Sequence, residues 1–374
     1  MRLKPNHPVI INNYATPYRE DLFNAIQGTG TATVVYVTQP EAKRREIGWR
    51  AAQSQQHQIF QLNEPVLVQQ GSGRRLIVPL ETIVLMARLR PKTIVCTLSR
   101  DMVLVQIVAL GLAKILRAKI AFWVGDVGAI HSAGGVAGLI DRLRLFCARR
   151  ADGFVFYSTK SRNWLHDQLP EAACRPAWVG GQVRHPISVL TPHSRRRGRP
   201  VFRLLFVGGE IPRKGMAELL DDLSSRPTVL GKPVELLCVG GAKRGRTRHA
   251  GIRLVSLGKL DFHAMQQAYE LADAVIIASL EEPWGFVFNE AILAGKACVV
   301  STHAGSATVA DKYGLAYEVG KPDSLNHALL RASVLTRAEM NAIADELSVA
   351  RAAKSFELFM AALDEPFAQL IQDY

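Results

Sequence analysis

The chain has 374 residues, of which 48% are hydrophobic, and a formal net charge of +13. This length predicts two domains, each with its own hydrophobic core. Charges or prolines interrupt the apolar runs well before the roughly 18 residues of a membrane-spanning helix, so none is expected. The five cysteines lack metal or redox spacing, which favours a reducing cytoplasm. The positive charge indicates an anionic partner: nucleic acid, a nucleotide ligand or an acidic membrane surface.

The N-terminal half alternates between apolar strands and helices. Its first strand is expected at Val9–Asn12, a helix at Glu20–Gln27 and a second strand at Thr33–Val37, which forms a βαβ unit. The alternation continues to a strand at Gly153–Tyr157. No Gly-x-Gly-x-x-Gly follows the first strand, so the usual dinucleotide fingerprint is absent.

A proline- and arginine-rich segment at residues 185–200 is typical of a solvated linker. A second alternating half follows it, and from Glu339 the chain is expected to be helical. Two such halves predict two parallel sheets whose ligands bind at the carboxyl ends of the strands, facing an interdomain cleft. The strands of this half are expected at Arg203–Val207, Val234–Val239, Ile252–Ser256, Asp273–Ala278, Ala297–Ser301 and Leu315–Glu318.

The stretch Ser279–Gly295 connects one of these strands to a predicted helix. Its turn contains Gly285, and the amides of Gly285, Phe286 and Val287 are expected to form an anion site at the start of the helix. Glu282 and Glu290 frame this turn. Carboxylates repel phosphate but accept hydrogen bonds from hydroxyl groups, so the mixture suits a nucleotide sugar.

A second turn holds two cations. Gly208 and Gly209 end the preceding strand, and Arg213 and Lys214 follow them in the same layer of strand ends. Two adjacent cations can hold a diphosphate, because arginine offers a planar fork and lysine a point charge. The spacing does not fit a Walker loop. Further close-approach points are expected at Gly240, Gly241 and Leu257.

The segment Glu-Pro-Trp-Gly-Phe-Val-Phe-Asn-Glu-Ala, from Glu282, resembles the E-x7-E motif of the family 4 retaining glycosyltransferases. The Gly-Gly…Arg-Lys-Gly segment from Gly208 is similar to that family's diphosphate-binding segment. The resemblance implies the GT-B fold, an α/β fold of two Rossmann-like parallel-sheet domains facing an interdomain cleft. It implies an acceptor domain at 1–190, a donor domain at 200–357, and a C-terminal helix at about 358–374 that packs on the first domain.

The resemblance also implies roles for the donor-side residues. Glu282 would hold hydroxyls of the donor sugar and Glu290 those of the ribose, while Arg213 and Lys214 would stabilise the departing diphosphate. The nucleotide sugar, UDP- or GDP-linked, is a substrate, so no cofactor is expected. No set of histidines and carboxylates has metal-binding spacing, so we expect a metal-independent hexosyltransferase.

Candidate acceptor-side residues lie in the N-terminal half. Tyr14, Tyr18 and Arg19 resemble the first-loop pattern of family 4 enzymes acting on polysaccharide or lipid-linked acceptors, while Asp126 and His131 are candidates for a catalytic role there. The segment Leu139 to Arg150 projects as a helix with Leu139, Leu143, Phe146 and Cys147 on one stripe, flanked by Arg142, Arg144 and Arg149. This pattern is typical of an interfacial helix, which together with the net charge of +13 indicates a peripheral protein at the anionic inner face of the cell membrane with a glycan or lipid-linked acceptor. The alternative is that the stripe packs on the N-terminal sheet while the arginines extend outward to solvent.

Other function classes remain open at this stage. A GT-B sugar-nucleotide epimerase would need catalytic acids and a base in the N-terminal half, where no clear set is found. A non-catalytic nucleotide-sugar-binding protein would not explain the two cations together with both glutamates. Nucleic-acid binding is not expected, because the basic runs lack interleaved aromatic residues and a known module.

Overall fold

The computed structural model describes residues 7–28, 32–39, 59–68, 75–125, 135–180, 200–209, 211–241 and 243–364. The chain divides into two compact units. The first comprises Met1–Val183 with Val349–Tyr374, and the second comprises Arg184–Ser348. Across the described ranges, no helix is long and apolar enough to span a bilayer.

The first unit alternates between strands and helices, as its apolar runs predict. Its strands are β1 (Val9–Asn12), β2 (Thr33–Tyr36), β3 (Ile59–Gln61), β4 (Val66–Val68), β5 (Arg75–Ile77), β6 (Thr93–Thr97), β7 (Lys119–Val124), β8 (Gly153–Phe156) and β9 (Ala177–Val179). Its helices up to that strand are α1 (Pro17–Gly28), α2 (Leu80–Leu89), α3 (Val103–Leu116), α4 (Gly135–Ala148) and α5 (Thr159–Gln168).

Seven of these strands form a parallel sheet in the order β3-β2-β1-β6-β7-β8-β9. Strands β1, β6 and β8 are buried at every position. Such continuous burial is typical of a parallel sheet with both faces covered, which explains why these strands appear in the sequence as unbroken apolar runs.

The second unit has the same alternation. Its strands are β10 (Phe202–Val207), β11 (Thr228–Val229), β12 (Lys232–Val239), β13 (Arg244–His249), β14 (Ile252–Gly258), β15 (Ala274–Ile277), β16 (Cys298–Ser301) and β17 (Ala316–Tyr317). Its helices are α6 (Met216–Ser225), α7 (Phe262–Leu271), α8 (Val287–Leu293), α9 (Ala307–Ala310), α10 (Pro322–Val334) and α11 (Arg337–Glu346). The main path of the sheet runs β13-β14-β12-β10-β15-β16-β17, so β10 lies centrally between β12 and β15.

Strand β13 is not among the strands predicted from the sequence. The strand pairs antiparallel with β14 and is exposed along its whole length. The hairpin turns at Ala250 and Gly251, which both have positive φ. An edge strand without an apolar face gives no burial signal, because its backbone pairing rather than its side chains holds it in the sheet.

The C-terminal helix α12 (Val349–Asp364) belongs to the first unit. It packs on α1, and its Phe356 contacts Trp123 and Trp178 of the sheet. The second domain is expected from the sequence to run to residue 357, whereas the contacts divide the chain between residues 348 and 349. The predicted continuous helix from Glu339 is interrupted, because α11 ends at Glu346 and α12 begins at Val349.

The helix predicted as an interfacial stripe is α4, and the prediction is wrong for two of its residues. Arg144 is buried, with 2% of its side chain exposed; it donates hydrogen bonds to Asp141 and to the carbonyl oxygen of Leu98. Cys147 is buried as well. Arg144 lies inside because Asp141, one turn earlier, provides a buried carboxylate to which Arg100 also donates. Burial alone would raise the pKa of Asp141, but the two guanidinium groups outweigh it and lower the pKa.

This buried cluster gives a stability prediction. Substituting Asp141→Ala removes the carboxylate to which both arginines donate, and we expect it to reduce the free energy of unfolding by about 3–5 kcal/mol, the usual cost of breaking a buried ion pair. Urea unfolding followed by circular dichroism measures the change. The control is Glu171→Ala, which removes an exposed carboxylate that pairs with Arg149 and should leave the midpoint nearly unchanged. Equal midpoints for both variants would contradict the structural role of Asp141.

Candidate functional site

The candidate donor residues follow four neighbouring strands of the second unit. Because parallel strands present their carboxyl ends at one edge of a sheet, the order β14-β12-β10-β15 brings these residues together. Gly208 and Gly209 follow β10, Gly240 and Gly241 follow β12, and Leu257 lies at the end of β14.

The glycines allow the strand ends to approach one another closely. Gly240 has a φ of 108°, and a Cβ atom there would lie 2.8 Å from the carbonyl carbon and oxygen of Gly208. The amide of Gly240 donates to the carbonyl oxygen of Gly258 at 3.0 Å. The amide of Gly208 donates to the carbonyl oxygen of Val239 at 2.9 Å. The edge is therefore lined by main chain, which leaves room for a ligand close to the backbone.

A short 3-10 turn, Pro212–Lys214, carries the two cations. Gly215 follows it with a φ of 69°, and a Cβ atom there would lie only 2.0 Å from the carbonyl oxygen of Ala278. The amide of Leu280 donates to the carbonyl oxygen of Arg213 at 2.9 Å. Glycine thus permits the cationic turn to lie directly against the segment that leaves β15.

This contact joins both cations to Glu282. The Lys214 Nζ lies 2.5 Å from the Glu282 Oε2, and an Arg213 guanidinium nitrogen lies 3.5 Å from the same oxygen. The side chain of Arg213 is 50% exposed, whereas those of Lys214 and Glu282 are 21% and 15% exposed. One carboxylate faces two cations, so this cluster has a net positive charge that suits a phosphate ligand.

The main chain around Glu282 is fixed by the segment after β16. The amide of Gly305 donates to the carbonyl oxygen of Glu282 at 2.9 Å, and the amide of Ser306 donates to that of Trp284 at 3.0 Å. The Trp284 indole donates to Asn289 at 2.7 Å in the buried interior. These bonds give Trp284 and Asn289 a structural part in holding the turn.

The sequence predicts a helix from Phe286 to Ala294, whereas helix α8 starts at Val287 and has seven residues. Gly285 precedes it with a φ of 92°. A small pocket lies at this point of the sheet edge. Its lining includes Lys214, Glu282, Gly285 and Val287, together with residues from the ends of β10 and β15. Phe286 is the N-cap residue of α8 and is half-buried.

Glu290 lies on α8 in a different environment from Glu282. Its Oε2 accepts a hydrogen bond of 2.6 Å from the Tyr269 hydroxyl. Burial raises the pKa of Glu290, although the Tyr269 hydrogen bond acts in the opposite direction. Burial and the neighbouring Glu290 also raise the pKa of Tyr269. Sequence reasoning missed Tyr269, because it comes from helix α7 and no spacing connects it to the glutamate motif.

The candidate acceptor residues belong to the first unit. Tyr14 is half-buried, and its amide donates to the Asn13 side chain. Arg19 is 5% exposed, donates to the Asn12 Oδ1 at 2.6 Å, and lies against the rings of Trp123 and Tyr157. This packing gives Arg19 a structural position in the unit. The side chain of Tyr18, and Asp126 and His131 entirely, lie outside the described residues.

The close approach at Gly215 gives a prediction about the site. Substituting Gly215→Ala forces a Cβ atom against the Ala278 carbonyl oxygen. We expect this substitution to lower the free energy of unfolding by about 1–3 kcal/mol or more. Gly209→Ala is the matched control, since its Cβ atom would meet its nearest neighbour at 3.6 Å. Thermal and urea unfolding of both variants measure the difference. A Gly215→Ala protein as stable as Gly209→Ala would show that the turn does not depend on this glycine.

The raised pKa of Glu290 gives a pH-dependence prediction. The folded chain holds the Glu290 proton more tightly than the unfolded chain does, so ionisation above the raised pKa reduces stability. Substituting Glu290→Gln removes this effect. The stability of the variant relative to wild type should be greatest at pH 8 and should decrease as the pH falls towards 4.5.

Urea unfolding across this pH range measures the relative stability. In a Tyr269→Phe background, where the stabilising hydrogen bond to the carboxylate is lost, the gain from Glu290→Gln at pH 8 should be larger. A pH-independent difference between wild type and Glu290→Gln would contradict the assignment.

Residues 201–333, within the second unit, match the family model described as glycosyl transferases group 1. No curated protein sequence matches the chain. The fold is similar to that of HepE from Anabaena in complex with UDP and glucose, with 14% identity, a TM-score of 0.62, and coverage of 96% of this chain and 100% of HepE.

Two further structures are similar at the same level. Sucrose-phosphate synthase from Thermosynechococcus elongatus has 16% identity and a TM-score of 0.62, with coverage of 96% of this chain and 99% of that one. The lipopolysaccharide outer core galactosyltransferase WaaB has 15% identity and a TM-score of 0.63, with coverage of 95% and 99%. The chain therefore has the expected GT-B fold of two parallel-sheet α/β domains, and its second unit is similar to glycosyl transferases of group 1.

Proposed function

We propose that this protein is a retaining glycosyltransferase of family 4 that transfers a hexose from a nucleoside-diphosphate sugar to a glycan or lipid-linked acceptor. The observation that carries the proposal is the meeting of Arg213 and Lys214 with Glu282 at the edge of the second sheet. A diphosphate needs the cations, and a sugar needs a hydrogen-bond acceptor beside them. The match of residues 201–333 to a glycosyltransferase family supports the same assignment.

The proposed chemistry depends on stabilising the leaving diphosphate. In the donor complex, Lys214 exchanges the Glu282 carboxylate for a phosphate oxygen, and Arg213 adds a second positive charge. Gly285 and Val287 line the same pocket, and in this proposal the amides of Gly285–Val287 add their dipoles to the two cations. Preorganised charge of this kind is typically the largest single contribution to catalysis.

The two glutamates serve different parts of the donor in this proposal. Glu282, released from Lys214, accepts hydrogen bonds from hydroxyl groups of the sugar. Glu290 accepts them from the ribose, and the Tyr269 hydroxyl orients its carboxylate. The glycines after β10 and β12, with Leu257, lie against the nucleotide. Because HepE is described in complex with UDP, a UDP-sugar is the first donor to test.

We assign retention of configuration by the E-x7-E resemblance. The acceptor hydroxyl attacks the anomeric carbon from the face that the diphosphate leaves, and the proton of that hydroxyl passes to the departing phosphate oxygen. The protein needs no nucleophilic carboxylate for this step. Arg213 and Lys214 provide the charge that a divalent cation provides in other sites, so we propose that no metal is required.

The first unit is proposed to hold the acceptor. Tyr14, Tyr18, Asp126 and His131 remain candidate contacts there, and Arg19 positions this region through its packing on Trp123. We propose that the acceptor is presented at the anionic inner face of the cell membrane, for cell-surface polysaccharide synthesis. Leu139 and Phe146 on α4 are 57% and 45% exposed, and Arg142 and Arg149 are exposed beside them.

The proposal predicts a large loss of transfer when the cationic turn is changed. Lys214→Ala and Glu282→Gln should each reduce kcat by about 10²–10³-fold with UDP-glucose or another accepted donor, the scale of losing one preorganised electrostatic contact. Lys312→Ala is the matched control, because Lys312 forms a similar ion pair, with Glu346 at 2.7 Å, elsewhere in the same unit. Radiolabelled sugar transfer measures all three variants.

The transfer assay, a thermal-shift assay and analysis of the donor together separate the alternatives. Wild-type turnover in both Lys214→Ala and Glu282→Gln would overturn the donor site. Donor binding in a thermal-shift assay without transfer to any glycan acceptor would favour a sugar-nucleotide-binding protein, while epimerised donor would favour an epimerase. Loss of transfer with EDTA and its recovery with Mg²⁺ would overturn the metal-independent mechanism.

A further inference from the structure

A groove lies between helices α3 and α4 of the first unit and encloses about 490 Å³. We call it the α3–α4 groove. Its volume lies in the range of small-molecule binding sites. The lining residues that matter for ligand binding are Leu110, Gly111, Lys114, Ala118, Phe146 and Arg150.

The lining of the α3–α4 groove is apolar except at a few points. Lys114 and Arg150 contribute cations, and neither forms an ion pair among the described residues. The Arg150 guanidinium lies over the Phe146 ring at 3.6 Å and donates to the carbonyl oxygen of Phe146. Its contacts here are thus an aromatic ring and a neutral carbonyl oxygen rather than a carboxylate.

The single carboxylate in the lining is already engaged. One oxygen of Asp152 accepts from the Ile120 amide at 2.8 Å, and the other accepts from the Lys119 Nζ at 3.3 Å. The groove thus keeps a net positive charge. Its side chains provide few hydrogen-bonding groups for a sugar or a nucleobase, which such ligands require.

The surface beside the groove is apolar as well. Ile115 on α3 is 76% exposed, and Phe146 and Leu139 on α4 are 45% and 57% exposed. Arg117 ends α3 in the left-handed conformation and is exposed next to Ile115. Apolar side chains exposed among cations are typical of a surface that lies in the headgroup region of a membrane.

We propose that the α3–α4 groove binds one anionic phospholipid, with an acyl chain along its apolar lining and the phosphate between Lys114 and Arg150. The charge complementarity of the two cations selects the anionic headgroup, and the apolar lining selects a lipid rather than a free phosphate. This inference rests on the membrane association proposed above and specifies one of its contacts. It involves no donor-site residue.

Gly111 offers a way to fill the groove without changing its charge. It lies within α3, and a Cβ atom there would meet no heavy atom within 4 Å. Gly111→Phe should therefore occupy the groove and, because phenylalanine favours a helix more than glycine does, leave the helix intact. The double variant Lys114→Gln/Arg150→Gln tests the cations separately.

The test is native mass spectrometry of the full chain with dihexanoylphosphatidylglycerol below its micelle concentration. Dihexanoylphosphatidylcholine and inorganic phosphate are the comparison ligands. We expect one phosphatidylglycerol per chain, at least tenfold weaker binding of the phosphatidylcholine, and no displacement by phosphate at equal concentration. Gly111→Phe and the double cation variant should each weaken phosphatidylglycerol binding at least tenfold.

The matched control is Arg246→Gln/Arg248→Gln, which removes two exposed arginines from β13 in the second unit and should bind the lipid as wild type does. Wild-type binding by Gly111→Phe, or equal binding of both lipids, would overturn the groove assignment. If Gly111→Phe does not fold, the double cation variant decides the question alone.

Vesicle sedimentation and donor binding distinguish the failures of the linked proposals. One outcome is that the protein and all its groove variants sediment equally with phosphatidylglycerol vesicles in a salt-sensitive way. That result would support the proposed membrane association and overturn the proposed lipid binding in the groove. Lipid binding with the expected variant pattern, in a protein that shows no sugar transfer, would keep the groove and overturn the proposed function. Unchanged thermal stabilisation by UDP-glucose in Gly111→Phe would establish that the second unit is intact.

Discussion

The contact between Lys214 and Glu282 depends on two strands being neighbours. The lysine follows β10 and the glutamate follows β15, 68 positions later in the chain. Only the parallel pairing of β10 with β15 brings their ends to one edge. Gly215 then decides how closely the two turns approach, since any side chain there would collide with Ala278. The sheet order and one glycine together determine the geometry of the candidate site.

The two glutamates of the motif show how local environment separates similar side chains. Glu282 lies against two cations at the sheet edge, where its charge is balanced. Glu290 is half-buried beside the Tyr269 hydroxyl, and its burial raises its pKa. An ionised Glu290 is therefore held at a cost in stability. Such a cost is typical of groups kept for binding rather than for folding.

Much of the fold could be predicted from the sequence, because parallel strands buried on both faces appear as apolar runs, as in β6 and β8. The strand ends then indicated where Gly208, Arg213 and Glu282 would meet. Strand β13 could not be predicted in this way, because it has no apolar face to give a period. Tyr269 was missed because it reaches Glu290 from another helix through tertiary packing alone.

The arginines of the first unit show why net charge is a poor guide to a binding surface. Arg144 donates to the buried carboxylate of Asp141. Arg175 donates to the carbonyl oxygens of Ala148, Arg149 and Ala151 at the end of α4. These cations stabilise the unit and are not available to a partner. Helical projection could not separate Arg144 from Arg142, because the environment of a helix position is known only once the neighbouring carboxylates and carbonyl oxygens are known.

What remains after these internal pairings is a smaller and better-defined set of charges. Lys114 and Arg150 line an apolar groove, whereas Lys119 beside them is already paired with Asp152. Lys114 and Arg150 have no carboxylate partner among the described residues and lie next to exposed apolar surface. Such cations are stabilised most by a ligand that is anionic at one end and apolar at the other. The pairing pattern, rather than the total of +13, is therefore the basis on which we propose an anionic lipid as the ligand of the α3–α4 groove.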